Sequence, residues 1–170
     1  MTTLNGTVSA KRKAAHHDTA PARSAAQRTK DTLHRLENDV DAWVATAAPD
    51  GAAPHLVPLS FVWDGTSLLI ATAADSPTGR NLVATGRARL GIGPTRDVVL
   101  VEGVAQAVTP EDLPEEDAEV FAGKTGFDPR RLADRYLYFR VVPQRVRAWR
   151  EANELHGRDL MRDGRWLAAD

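Results

Sequence analysis

Six consecutive residues, Ser76-Pro77-Thr78-Gly79-Arg80-Asn81, bring hydroxyls, a guanidinium and an amide to what reads as a helix start. Ser76 is placed to cap the helix. Pro77 suits the first helical position, where its missing N–H costs nothing. A helix N-terminus presents free backbone N–H groups at the positive end of the peptide dipole. With Ser76, Thr78, Arg80 and Asn81 around it, this terminus is a candidate anion site, most simply for a phosphate. The same residues also describe a capped helix with a surface Arg, and local chemistry leaves both readings open.

Other chemistries have less support. There is no cysteine, which removes disulfides, thiolate catalysis and Cys-based zinc sites together. The histidines do not fall at metal spacing: His16 and His17 lie in a polar tail, His34 on a helix, His55 on a strand and His156 in a loop, so no metal is expected. Ser60 has no His–Asp pattern, and there is no G-x-S-x-G elbow. Asp97 and Glu102 lie near one strand, but the six acids within 109–120 read as a solvated helix face. The glycines from Gly86 to Gly93 are not followed by a helix, so they are not a dinucleotide fingerprint. No catalytic residue can be named on these grounds.

The elements that must position the 76–81 segment are mostly strands. Strands are expected at 42–48, 55–63, 67–72, 87–92, 98–108, 136–142 and 145–151, with turns at Pro49-Asp50-Gly51 and Asp64-Gly65 and a loop at Gly91, Gly93 and Pro94. A terminal hairpin is expected around Asp163-Gly164. Helices are expected at 19–39, with Thr19 as cap and Leu33 and Leu36 on the apolar side, and at 76–85, stopped by Gly86. A third starts near Thr109-Pro110-Glu111-Asp112, made irregular by Pro114, and a fourth runs from Asp128-Pro129 to about Arg135. Many evenly spaced strands with inserted helices imply a mainly β fold, a closed or nearly closed antiparallel barrel. Residues 1–18 are polar and basic and read as a disordered tail, leaving 19–170 as one domain.

Charge argues against a polyanionic partner. The net charge is −1, and the Lys11-Arg12-Lys13 cluster reads as solvated, so neither nucleic acid nor membrane is expected. No apolar run approaches the roughly 18 residues of a membrane span, and the first residues lack a signal-peptide core. A cytoplasmic location is the expectation.

The run from Val44 to Leu82 resembles the pyridoxamine 5′-phosphate oxidase-like split barrels, which bind FMN or the 8-hydroxy-5-deazaflavin coenzyme. The resemblance is carried by Ala47-Ala48-Pro49-Asp50-Gly51, Val57-Pro58-Leu59-Ser60-Phe61, Asp64-Gly65 and Ser76-Pro77-Thr78-Gly79-Arg80-Asn81-Leu82, with Val101-Glu102-Gly103 as a later strand. It implies a homodimer with two flavin-type sites at the subunit interface. The ring would lie along Val57, Pro58, Leu59 and Ser60 and touch Ala71 and Thr72. The phosphate would sit at Ser76, Thr78, Arg80 and Asn81. Partner residues near Trp149, Arg150 and Asn153 would close the site. The activity implied is hydride transfer to or from a small organic substrate. The alternative is a non-catalytic binder of FMN, haem or another planar ligand. The pattern departs from the oxidase proper at one point: the two basic residues expected after the Ser are Pro77 and Thr78, and the upstream pair falls near His55 and Ser60. Oxidation of pyridoxamine phosphate itself is therefore not expected.

Overall fold

The computed structural model describes residues 20–133 and 135–167. The expected tail lies outside these residues. The described chain opens with helix α1 (Ala25–Asn38) and strands β1 (Asp41–Thr46), β2 (His55–Trp63) and β3 (Leu68–Ala73). Helix α2 (Pro77–Thr85), β4 (Arg87–Ile92), β5 (Val98–Val108) and α3 (Glu115–Thr125) follow, then β6 (Tyr136–Trp149), β7 (Asp159–Arg162) and β8 (Arg165–Trp166).

Six of the strands close a barrel. They pair in the order β3-β2-β1-β4-β5-β6, and a β3–β6 ladder completes the ring. All of the barrel pairings are antiparallel. Closure leaves no barrel edge free to pair with another chain. The interior is filled by Val44, Phe61, Leu68, Ile70, Leu90, Ile92, Val101, Phe139 and Val141, every one fully buried. A smaller apolar cluster lies outside the barrel wall. There α3 sets Ala118 and Phe121 over Val62, Leu69, Ala71 and Tyr138, and the Phe121 and Tyr138 rings meet edge to face at 5.5 Å.

Helices plug both ends of the barrel. The α2 end holds Thr46, His55, Ala73 and Arg87, and Leu82 enters the core there. The α1 end holds Asp41, Ser60, Gly93 and Val98, and Leu36 plays the same part.

Three expectations are corrected. The first helix is capped by Ser24, whose side chain accepts from the Gln27 amide, so it begins later than a Thr19 cap implies. The segment from Asp128 makes only the single 3₁₀ turn Pro129–Arg131. Leu132 is already extended and ends the turn, and Arg135 gives its carbonyl to the Ala74 amide beyond the end of β3. The two strands expected at 136–142 and 145–151 are one strand, β6. Pro143 sits opposite Gly103 and Arg145 opposite Glu102, so Gln144 is an extra, bulged residue. The bulge lets a residue without an N–H remain inside the ladder. The Gln144 carbonyl is used instead by the Gly164 amide of the terminal hairpin. Gly103 is required at this crossing, since a Cβ would lie 2.7 Å from Val141 Cγ1 and 2.8 Å from the Val142 carbonyl oxygen.

Candidate ligand site

The start of α2 is built from neighbouring residues. The Ser76 hydroxyl accepts from the Gly79 amide at 2.9 Å and lies 3.1 Å from the Thr72 hydroxyl. Gly79 permits the helix to sit this close to β3: a Cβ there would fall 2.4 Å from the Ala73 carbonyl oxygen and 2.9 Å from that of Ala74. Thr78 is buried, and Asn81 donates to Thr46 Oγ1 at 3.1 Å, tying α2 to the end of β1. Arg80 is exposed and rests one guanidinium nitrogen on the Asp75 carbonyl.

This arrangement limits what the terminus can hold. Pro77 has no N–H, the Gly79 amide goes to Ser76 Oγ, and the Arg80 amide starts the helical ladder on the Ser76 carbonyl. Among the described residues the Thr78 amide is left as the free donor of the first turn. The donors this terminus offers are thus the Thr78 amide, the exposed Arg80 guanidinium and the Thr72–Ser76 hydroxyl pair. A dianionic phosphate would want more charge-assisted bonds, each worth roughly 1.5–3 kcal/mol.

Along β2 the expected ring-side residues divide by strand alternation. Leu59 packs against the barrel core, and Val57 shares its face. Leu56, Pro58 and Ser60 face outward. The Ser60 hydroxyl donates to Asp41 Oδ1 at 2.7 Å. On the same outer surface Trp43 lies opposite Pro58 and Gly91 and is 56% exposed, as is Leu56. A cleft of about 420 Å³ runs here between Asp39–Trp43, Pro58, Gly91 and Gly93. The next outward residue of β2, Val62, is sealed under α3. Ala71 lies in that sealed cluster too, whereas Thr72 turns to Ser76.

Trp149 and Arg150 lie at the α1 end, since Trp149 pairs with Val98. Within one chain they are not brought to the α2 terminus. Arg158 places its guanidinium carbon 5.2 Å from the centre of the Trp149 ring. Arg150 reaches Asp97 at 3.3 Å and Asp31 at 3.8 Å.

That acidic pair belongs to an ion network which the sequence does not signal. Arg23 bonds Asp31 at 2.8 Å, Asp97 at 3.1 Å and Glu154 at 2.8 Å, and Arg35 bonds Asp97 at 2.8 Å. The fork of hydrogen bonds from Arg23 holds the Glu154 carboxyl down to about 2, against the opposing cost of its burial. Arg23 and Glu154 stand 131 positions apart, so no local spacing reveals them. Asp97 and Glu102 are both spoken for by arginines, Glu102 by Arg89 and Arg147. No three His, Asp or Glu converge as a metal-binding group among the described residues. No described helix is long and apolar enough to cross a membrane.

A closed antiparallel barrel of six strands with helix-plugged ends defines the split-barrel class. Residues 29–150 match the family described as pyridoxamine 5′-phosphate oxidase, and the chain belongs to that family. Solved structures share the fold. One is a Clostridium acetobutylicum protein related to general stress protein 26, of the pyridoxinephosphate oxidase family; it is 13% identical with a TM-score of 0.58, over 74% of this chain and 89% of that one. Another is an F420 reductase, 20% identical with a TM-score of 0.53, over 66% and 93%. A third is a heme-binding protein from Mycobacterium smegmatis, 20% identical with a TM-score of 0.58, over 84% and 59%. No curated protein sequence matches this chain.

Proposed function

We propose that this protein binds a phosphorylated flavin-type cofactor on the outer face of β2, as a homodimer, and uses it for hydride transfer to or from a small organic substrate. One observation carries the reading. The outer face of β2 is open from Leu56 to Ser60, beside exposed Trp43, and is closed by α3 from Val62 onward. An aromatic and apolar strip left bare on a strand face is a surface a planar ring can cover.

The anion end refines the choice of cofactor. Arg80 and the Thr78 amide offer one positive charge and one backbone donor. That favours the deazaflavin coenzyme, whose phosphate is a singly charged diester, over FMN, whose phosphate is a dianion. The cofactor supplies the redox chemistry, and the protein holds the ring, satisfies the phosphate and excludes water. Trp149, Arg150 and Asn153 of the partner copy would close the site, since within one chain they lie at the other end of the barrel.

The test is a fluorescence titration of purified, ligand-free protein with the deazaflavin, FMN and haemin. Tighter binding of the deazaflavin than of FMN is expected, and Arg80→Ala should weaken it by about tenfold, the loss of one charge-assisted contact. Binding of neither flavin overturns the reading. Haemin binding without either flavin would leave a planar-ligand carrier on the same barrel.

A further inference from the structure

We propose that Glu154, together with Arg23, Arg28 and Arg158, positions residues Trp149 to Asn153 as a preformed wall for the ligand site. This rests on the reading above that Trp149 and its neighbours close the partner copy's site.

Beyond Trp149 the sheet does not hold this segment. The β5–β6 ladder ends where Trp149 meets Val98, and beyond it the chain turns through the 3₁₀ helix Ala152–Glu154. The Glu154 carboxylate takes over from the ladder. It accepts from the Arg150 amide at 2.8 Å, and from the Arg23 amide, Nε and Nη2 at 2.9, 3.0 and 2.8 Å. Four N–H donors use the acceptor capacity of both oxygens. The Glu154 carbonyl is bonded in turn by Arg28 Nη1 at 3.3 Å. Glu154 and Arg28 are 3% and 7% exposed, so these bonds are shielded from competing water.

The residues next to Trp149 are fixed on the other side by Arg158. Its carbonyl accepts from the Ala148 amide at 3.0 Å, while its guanidinium covers one face of the Trp149 ring. Asn153 is tied to the Ala20 carbonyl at 2.9 Å.

Stability alone does not account for this construction. A buried ion pair contributes little net stability compared with a packed apolar group. The segment held by these bonds is itself mostly at the surface: Arg150, Ala152, Asn153 and Leu155 are exposed. Ordering exposed backbone costs conformational entropy and buries little apolar area in return. Directional bonds from a saturated carboxylate fix geometry, and the Trp149 face away from Arg158 is thereby presented in one orientation. Preorganisation of this kind lowers the ordering cost when a ligand arrives.

The experiment compares Glu154→Gln and Arg23→Lys with Val44→Ala, a core substitution in the barrel, using the full chain. Amide hydrogen exchange is read across 148–155, and cofactor affinity is read at a temperature where all variants are folded. Glu154→Gln should speed exchange in 148–155 by about tenfold or more while leaving α2 unchanged. It should weaken deazaflavin or FMN binding by about tenfold, with Arg23→Lys intermediate. Val44→Ala should lower Tm without either effect. Exchange and affinity that follow Tm alike in all three variants would overturn the proposal. Should the wild-type protein bind neither cofactor, the functional reading fails by itself, and the exchange data still decide whether Glu154 fixes the segment.

Discussion

The two ends of the barrel are closed by helices in different ways. At the α2 end the contacts come from residues close in sequence and are almost all neutral: Ser76 with Gly79 and Thr72, and Gly79 against Ala73 and Ala74. The longest side-chain reach from α2 itself is from Asn81 to Thr46. At the α1 end the contacts are long-range and mostly ionic: Arg23 and Arg35 of the helix region meet Asp97, Arg23 also meets Glu154, and Arg28 bonds the Glu154 carbonyl. A helix held by local hydroxyls can be read, and altered, one motif at a time. A helix held by a long-range charge network depends on every member, because removing one charge strands its partner in a buried setting.

The strongest way to break this contrast is Glu154→Ala. Removing the acceptor of four N–H donors at a buried site should cost about 3 kcal/mol in urea denaturation; a loss no larger than that of a surface residue would remove the distinction between the ends. The same end should carry the acid sensitivity. Glu154 and Asp159 are both held to about 2 by arginine hydrogen bonds, from ordinary values of 4.5 and 3.8. Their folded forms bind protons later than the unfolded chain does. Their contribution is therefore complete above about pH 4.5 and is lost progressively as pH falls toward 2. Glu154→Gln should flatten that acid limb in a Tm-against-pH series, and Ser76→Ala should not.

Gly79→Ala tests the neutral end. The new Cβ meets backbone oxygens that cannot rotate away, so α2 must lift off β3 at a cost of about 2 kcal/mol. Ser76→Ala should cost about 1 kcal/mol, the usual worth of a helix cap, with ligand binding weakened less than in Arg80→Ala. The smallest effect is expected for Arg96→Ala. Its bond to Glu151 lies at the α1 end but is exposed, and its loss should register below about 0.5 kcal/mol. A larger change would extend the network's influence to the surface.

The same contrast explains what the sequence made legible. Strands β2, β4 and β5, the α2 cap and the Asp64-Gly65 turn follow from local periodicity and turn chemistry, because each is decided by neighbours a few positions away. The segment after Asp128 and the two-strand reading of 136–151 failed where distant partners are engaged: the Arg135 carbonyl meets the Ala74 amide, and β6 runs on along β5 past Pro143 because Gly103 leaves room for Val141 and Val142. Of the residues proposed for the site, Ser76, Thr78, Arg80 and Asn81 lie in the first turns of α2 as their spacing suggests, with Asn81 turned to Thr46, and Pro58 and Ser60 share the outward face of β2. That Leu59 turns inward and that α3 covers Ala71 are tertiary facts. So is the clustering of Arg23, Asp31, Asp97 and Glu154, residue types that look like ordinary surface charges until the fold encloses them.

Strand β6 pairs with β3, β5 and β7 and is the last stave of the barrel to leave the ribosome. A nascent chain that has reached residue 135 already holds five barrel strands, with β3 and β5 as bare edges facing one another. Those edges are templates for pairing with any other extended chain until the next fourteen residues arrive. The bulge at Gln144 lets a single uninterrupted strand seal that gap and then carry the C-terminal hairpin. Premature termination a few codons upstream would yield an open, adhesive sheet rather than a smaller barrel.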